Sequence, residues 1–256
     1  MDTLVGFEKC KSFINSEWQS SGAVVAPSIN REPKLAVTIS RQTGCGAHVV
    51  GEKLSEFLQA HGPDPDSPWT VFDHNLVEKV LEDHNLPRRL ARFMPEVPIS
   101  GITDTIDDLF GLHPPFWTLV HKTADTILHL AERGNVIIIG RGANLVTRKL
   151  RHTFHVRLVG SLEKRVEHIQ QLKGVSKEAA LKFICEEDRG RERYFRRYFG
   201  KHLDDPLLYH LVLNTDLVPY EDTARLIGEA ALNHLQRQPA EPSKENWPAH
   251  HAVLFA

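Results

Sequence analysis

Apolar residues follow two rhythms along this chain. Five short runs are continuous or nearly so: Leu35 to Ser40, Trp69 to Asp73, Val136 to Gly140, Thr153 to Val159 and Tyr209 to Asn214. Between them, apolar positions recur at helical spacing over Ala47 to Gln59, His74 to Asp83, Trp117 to Glu132, Ser161 to Leu172, Lys177 to Tyr198 and Glu221 to Leu235. A strand that is apolar on both sides has to be covered on both faces, and strands alternating with helices pair in parallel through helical crossovers. The pattern therefore predicts an α/β fold: a five-stranded parallel sheet sandwiched by helices, with all five strands buried.

The remaining segments break that rhythm. "HGPDPDSP", His61 to Pro68, is turn chemistry between a helix and a strand. The stretch from Asn85 to Pro115 carries five prolines, at 87, 95, 98, 114 and 115, and reads as an irregular flap with short helices. Residues 1–33 hold one amphipathic helix and a linker, 34–236 form the main domain, and the polar, proline-bearing tail over 237–256 is expected to be poorly ordered. No internal repeat is present.

Composition narrows the function classes. A net charge of −2 gives no global attraction to nucleic acid, so none is expected as a partner. No apolar stretch approaches the roughly 20 residues needed to cross a bilayer, so no membrane partner is expected either. The opening "MDTLVGFEKCKSF" carries early acidic residues and no long apolar core, unlike a secretory signal. Three widely spaced cysteines (Cys10, Cys45 and Cys185), none in a CxxC, read as reduced thiols. The expectation is a cytoplasmic protein. Nothing in the sequence sets its oligomeric state.

In open parallel sheets, ligands bind beyond the carboxyl ends of the strands. The segments that follow the five strands are "SRQTGCG", "DHN", "GRGAN", "GSLEKR" and "NTD". The first leads from an apolar strand through Thr43, Gly44, Cys45 and Gly46 into a helix beginning Ala47-His48, the layout of a phosphate-gripping loop. The lysine and the hydroxyl residue of such a loop are missing: Ala47, His48 and Val49 stand there. Arg41 at the loop entrance could supply the cation. A plain tight turn is the alternative. Arg141, between two glycines after a fully β-branched strand, must emerge at the crevice, where a guanidinium suits a phosphate or carboxylate; tying loops together is the other possibility.

"CEEDRGRERYFRRYFGK", Cys185 to Lys201, separates into two faces at 100° per residue. Arg189, Arg193, Arg196 and Arg197 share one arc and suit a solvated face. Tyr194, Phe195, Tyr198 and Phe199 lie opposite, and Asp188 and Arg191 fall within that aromatic arc. An arginine there needs a partner, with Asp188 or a phosphate as candidates. Asp73 either caps the helix after the second strand or contacts a ligand or metal. Asn214, Thr215 and Asp216 either contact a base or cap the last helix. His121, Asp125 and His129 mimic metal spacing but lie off the apolar face, as a solvated stripe would. Cys45, at a helix start, could have a lowered thiol pKa.

Together these stretches resemble the cytidylate kinase-like family, relatives of the P-loop nucleoside monophosphate kinases. The matching segments are "VTISRQTGCG", "VIIIGRGAN", "VRLVGSLEKRVEHI", "EEDRGRERYFRRYFG" and "YHLVLNTD", in the family's order, from about Leu35 to Leu235. The resemblance implies a P-loop kinase-like sheet with lid helices (161–200) and an acceptor flap (85–116). It also implies ATP and Mg2+, and a CMP-like nucleoside monophosphate as acceptor. Carried over, Gly44, Cys45, Gly46 and Ala47 would line the donor phosphates, Arg141 would hold the acceptor phosphate, and Asn214 and Thr215 would lie near the adenine; the residues themselves add Thr43 and His48 to the donor loop and Asp73 to the acceptor side. Arg165, Asp188 and Arg191 would belong to the lid, with Arg41, Arg141, Asp188 and Arg191 serving the transfer itself. The metal ligands stay unassigned. Two departures from true cytidylate kinases stand out: Ala47 replaces a lysine and Gly142 replaces an aspartate. A nucleotide- or phosphate-binding regulatory protein with the same fold is therefore the second expectation.

Overall fold

The computed structural model describes residues 34–64, 66–73 and 116–237. Five strands, β1 (Ala36–Arg41), β2 (Thr70–Phe72), β3 (Val136–Ile139), β4 (Thr153–Val159) and β5 (Leu211–Asn214), form one sheet in the order β2-β3-β1-β4-β5, every pairing parallel. The order places β1 at the centre. The chain first builds toward one edge through β2 and β3, then crosses over β1 to build the other edge, so the switch point lies beside the end of β1. The helices are α1 (Ala47–His61), α2 (Phe116–Arg133), the one-turn α3 (Ala143–Val146), α4 (Leu162–Lys173), α5 (Lys177–Phe199) and α6 (Tyr220–Gln236).

Two apolar layers cover the sheet. On one face, Val37, Ile39, Ile137, Ile139, Val156 and Leu158 pack against Val50, Leu54 and Leu58 of α1 and Ile227 and Ala231 of α6. On the other, Ala36, Val136, Ile138 and Phe72 meet Ile127, Leu130 and Ala131 of α2. Each Val, Leu, Ile or Phe among them, fully buried, contributes about 1.5–3 kcal/mol. This rigid platform fixes where the loops at the strand ends begin. The lid pair is built separately: Val166 and Ile169 of α4 pack on Ala180 and Ile184 of α5. Ser161 and Ser176 cap these two helices, accepting from the amides of Lys164 and Ala179, and Gly174 and Gly200 end them in the left-handed region.

The expected sheet is present, with three corrections. β5 is only half-buried, because as an edge strand it is paired on one side alone. It also begins two residues later than expected: Tyr209 closes a 3-10 turn (Pro206–Leu208) that the run of apolar residues had masked. The short α3 was not foreseen. The helix expected over 74–83, the flap, the N-terminal helix and the tail fall outside the described residues.

Candidate active site

The ends of β1 and β3 lie side by side, with the Gly140 amide donating to the Ile39 carbonyl at 3.0 Å. The chain then reverses through three successive left-handed residues, Gly140 (φ 86°), Arg141 (φ 57°) and Gly142 (φ 68°). Glycine adopts this conformation freely, whereas for arginine it costs about 1–2 kcal/mol. The reversal brings Arg141 to a cleft lined also by Ser40, Arg41, Arg191, Tyr194 and Phe195. Three arginines from β1, the β3–α3 turn and α5 thus meet at the switch point. Gly142 is held there for a second reason: a Cβ on it would lie 2.4 Å from the Phe199 ring. An aspartate at 142 would have to displace that ring.

The β1–α1 loop lies next to this cleft. Thr43 donates from its amide (2.8 Å) and its hydroxyl (2.7 Å) to the same carboxylate oxygen of Asp188 on α5. Arg165 of α4, 8% exposed, donates to the other Asp188 oxygen at 2.7 Å and to the Thr43 carbonyl at 3.2 Å. Arg191 reaches Thr43 Oγ1, Asp188 at 3.2 Å and Glu187 at 2.9 Å. A carboxylate held by a loop amide, a hydroxyl and two guanidinium groups is anion recognition, with an internal anion as the ligand. The loop itself needs its glycines. Gly44 (φ 90°) would set a Cβ 2.8 Å from the Arg165 carbonyl, and Gly46 (φ 70°) would set one 2.3 Å from the Tyr220 ring. Unlike α4 and α5, helix α1 starts at Gly46 with no side-chain cap and no acidic residue in its first turn. The positive end of its dipole suits an anion.

Other expected site residues are placed as follows. Asp73, just past the end of β2, lies 3.7 Å from Arg41 and 3.8 Å from His48, so it ties the end of the second strand to that of the first. His48 is exposed at the start of α1, and Ala47 is buried. Cys45 is buried, and burial pushes its thiol up to about 11, against the lowered value that a helix start could have produced. The Thr215 hydroxyl beside it opposes that rise. Asn214 accepts from the Asp216 amide at 2.9 Å, Asp216 accepts from the Ser161 amide at 2.6 Å, and Thr215 bonds the Val159 carbonyl. The segment after β5 thus ties the loop cluster together, through the turn rather than through a cap on α6. Arg189, Arg193, Arg196 and Arg197 face solvent, as do His121, Asp125 and His129; among the described residues no cluster of His, Cys, Asp or Glu is arranged to hold a metal ion.

Three participants escaped the sequence. Glu187 lies four before Arg191 and pairs with it, a spacing visible in the sequence but hidden among neighbouring charges. Tyr220 packs on Gly46 and bonds His168 Nδ1 at 3.3 Å. Arg157, 3% exposed in the middle of β4, donates to Ser40 Oγ at 3.0 Å and pairs with Asp204, buttressing the floor of the arginine cleft. Its position in an apolar strand could have marked it.

The sequence profile of the cytidylate kinase-like family matches residues 36–217. The chain is 32% identical over 193 residues to a cytidylate kinase of Aeropyrum pernix, covering 75% of this chain and 96% of that one. A 108-residue stretch is 31% identical to a uronate isomerase of Corynebacterium glutamicum, where it covers 42% of this chain and only 20% of that protein. An uncharacterized protein from Eubacterium ventriosum shares the fold, with a TM-score of 0.55, 14% identity, and coverage of 80% of this chain and all of that one. This chain belongs to the cytidylate kinase-like family.

Proposed function

We propose that this protein is an ATP-dependent phosphotransferase acting on a nucleoside monophosphate, CMP-like, by in-line transfer. The observation that carries the reading is the meeting of Arg41, Arg141 and Arg191 at the switch-point cleft, next to a loop whose amide and hydroxyl already hold a carboxylate. Transfer between two phosphates needs little covalent chemistry from the protein. It needs the two reactants aligned and the charge on the moving group neutralised. Arg141 and Arg41 would orient the acceptor phosphate. Arg191 and Arg165 would face the donor phosphates, cradled by the loop from Thr43 to His48, with Asn214 and Thr215 toward the donor base. Asp188 would hold both lid arginines in place and hand its loop contacts to phosphate when substrate enters.

The donor set suits the groups involved. Loop amides, the uncapped start of α1 and the guanidinium groups fit a polyphosphate. ATP would supply the phosphoryl group. Magnesium prefers oxygen ligands and keeps much of its water, so Asp73 would meet it largely through water, the nucleotide phosphates providing the rest. As described, the arginine cleft holds about 20 Å³ of free space, room for one water, so entry of a nucleotide requires it to widen. A second reading, a nucleotide-binding regulator without turnover, is favoured by the buried methyl of Ala47 where a lysine would reach the phosphates.

ADP release from ATP and Mg2+ with CMP, dCMP, UMP, AMP and GMP in turn, alongside titration of ATP binding, separates the two. Acceptor-dependent release abolished by Arg141→Ala supports the kinase and names its acceptor. ATP binding without acceptor-dependent turnover supports the regulator. Absence of ATP binding refutes both.

A further inference from the structure

A second, larger cleft of about 430 Å³ lies beyond α3 from the arginine site, between β4, the Arg148–Arg151 turn and the segment from Lys201 to His210. The clefts share only Asn144 among their described lining residues. The chain carries 33 acidic residues against 31 lysines and arginines, yet none of the described residues lining this cleft is acidic. Arg148, Arg151 and Lys201 stand at its edge, exposed, and their charged groups make no ion pair among the described residues.

The inner wall is rich in donors. Asn144 (3% exposed) and Thr153 (1% exposed) line it, and the Asn144 amide nitrogen and the Thr153 hydroxyl have no hydrogen-bond partner within the described structure. Buried polar groups are normally satisfied, and each one left unmade is costly. His210 accepts the His155 backbone amide on Nδ1 at 2.9 Å, so its neutral ring carries the proton on Nε2. His234 Nε2 sits 2.9 Å from the Arg151 carbonyl and must donate to it. Burial, together with the neighbouring imidazoles, lowers His155 to about 3 and lowers His210 as well, so these rings are neutral donors and packing surfaces, and the positive charge comes from the edge. Leu145, Leu150, Leu207 and Leu208 complete the lining, with Leu207 91% exposed at the lip. A metal ion is a poor match: imidazoles stacked 4.9 Å apart at 28° do not converge on a point, and no carboxylate or thiolate joins them.

We infer that this cleft is a binding site, separate from the phosphotransfer site, for a small organic anion: a phosphate or carboxylate held by Arg148, Arg151 and Lys201, with an apolar body against the leucines. The size fits a small-molecule site, and few polar groups within an apolar lining is the usual composition of one.

The test is a titration of the full chain with phenyl phosphate, followed through the ring C–H resonances of His155, His210 and His234, with inorganic phosphate as comparison. The expected result is saturable shifts at those rings, with phenyl phosphate at least about tenfold tighter than inorganic phosphate. An Arg148→Ala/Arg151→Ala double variant, both side chains being exposed, weakens binding by at least about tenfold, and Arg141→Ala leaves it unchanged. Shifts that never saturate, survive the double variant, or disappear with Arg141→Ala overturn the inference; the last would place the binding in the arginine cleft.

Discussion

Asp188→Asn is the sharpest perturbation of the loop–lid contact. The Asp188 carboxylate accepts from the Thr43 amide and hydroxyl, from Arg165, and from Arg191. Its side chain is 29% exposed, and those of the two arginines are 10% and 12% exposed. Removing one partner of a fully buried pair costs about 3–5 kcal/mol, mostly as uncompensated charge. Partial exposure of the carboxylate reduces that, and the amide keeps one acceptor oxygen, so a loss of about 2 kcal/mol is expected. Urea unfolding at pH 7 measures it, as a lowered midpoint at unchanged slope. Amide exchange supplies the local readout: the Thr43 N–H, released from its carboxylate, should exchange faster while amides in β3 stay protected. In a cycle with Arg165→Ala, the double variant should lose less than the sum of the single losses. A loss under about 0.5 kcal/mol, or unchanged exchange at Thr43, would refute the view that Asp188 holds the lid arginines to the loop.

Two further outcomes follow from the geometry. Gly46→Ala places a methyl in the left-handed region and against Tyr220, so it should destabilise by at least about 1–2 kcal/mol. Adding Tyr220→Ala should recover the steric part, and a purely additive double variant would contradict the clash. His155 is neutral in the folded protein, its pKa being about 3 against an ordinary 6.5. Because the folded pKa is lowered, the unfolded chain binds the extra proton first, and stability falls as pH drops from 6.5 toward 3 at about 1.4 kcal/mol per unit. Between pH 7 and pH 5 this one group should cost about 2 kcal/mol, and His155→Gln should remove that part of the slope. An equal slope in the variant would count against it.

The sheet was legible because buried parallel strands carry unbroken apolar runs, as Val136 to Ile139 do, and the position of the arginine cleft because neighbouring strand ends in such a sheet adjoin at the switch point. Arg191 could be placed inward because an arginine among Tyr194, Tyr198 and Phe199 departs from helical segregation. What stayed hidden depends on pairing across distance. That Asp188 would reach Thr43, 145 residues away, cannot be read from either segment. Cys45 stayed open for a related reason: a helix start favours a thiolate, but burial opposes it and burial is a property of the packed fold. The edge character of β5 was likewise invisible, since Leu211 and Leu213 are as apolar as residues of a central strand.

In the proposed reaction Arg191 acts on the group being transferred, and Arg191→Ala tests this most directly. With wild type and variant in hand, kcat for acceptor-dependent ADP release and the Kd for ATP are measured on the same preparations. A contact made in the transition state predicts a fall in kcat of about 10³-fold or more, with ATP affinity changed less than about threefold. Equal losses in kcat and affinity, or a variant as fast as the wild type, would contradict it.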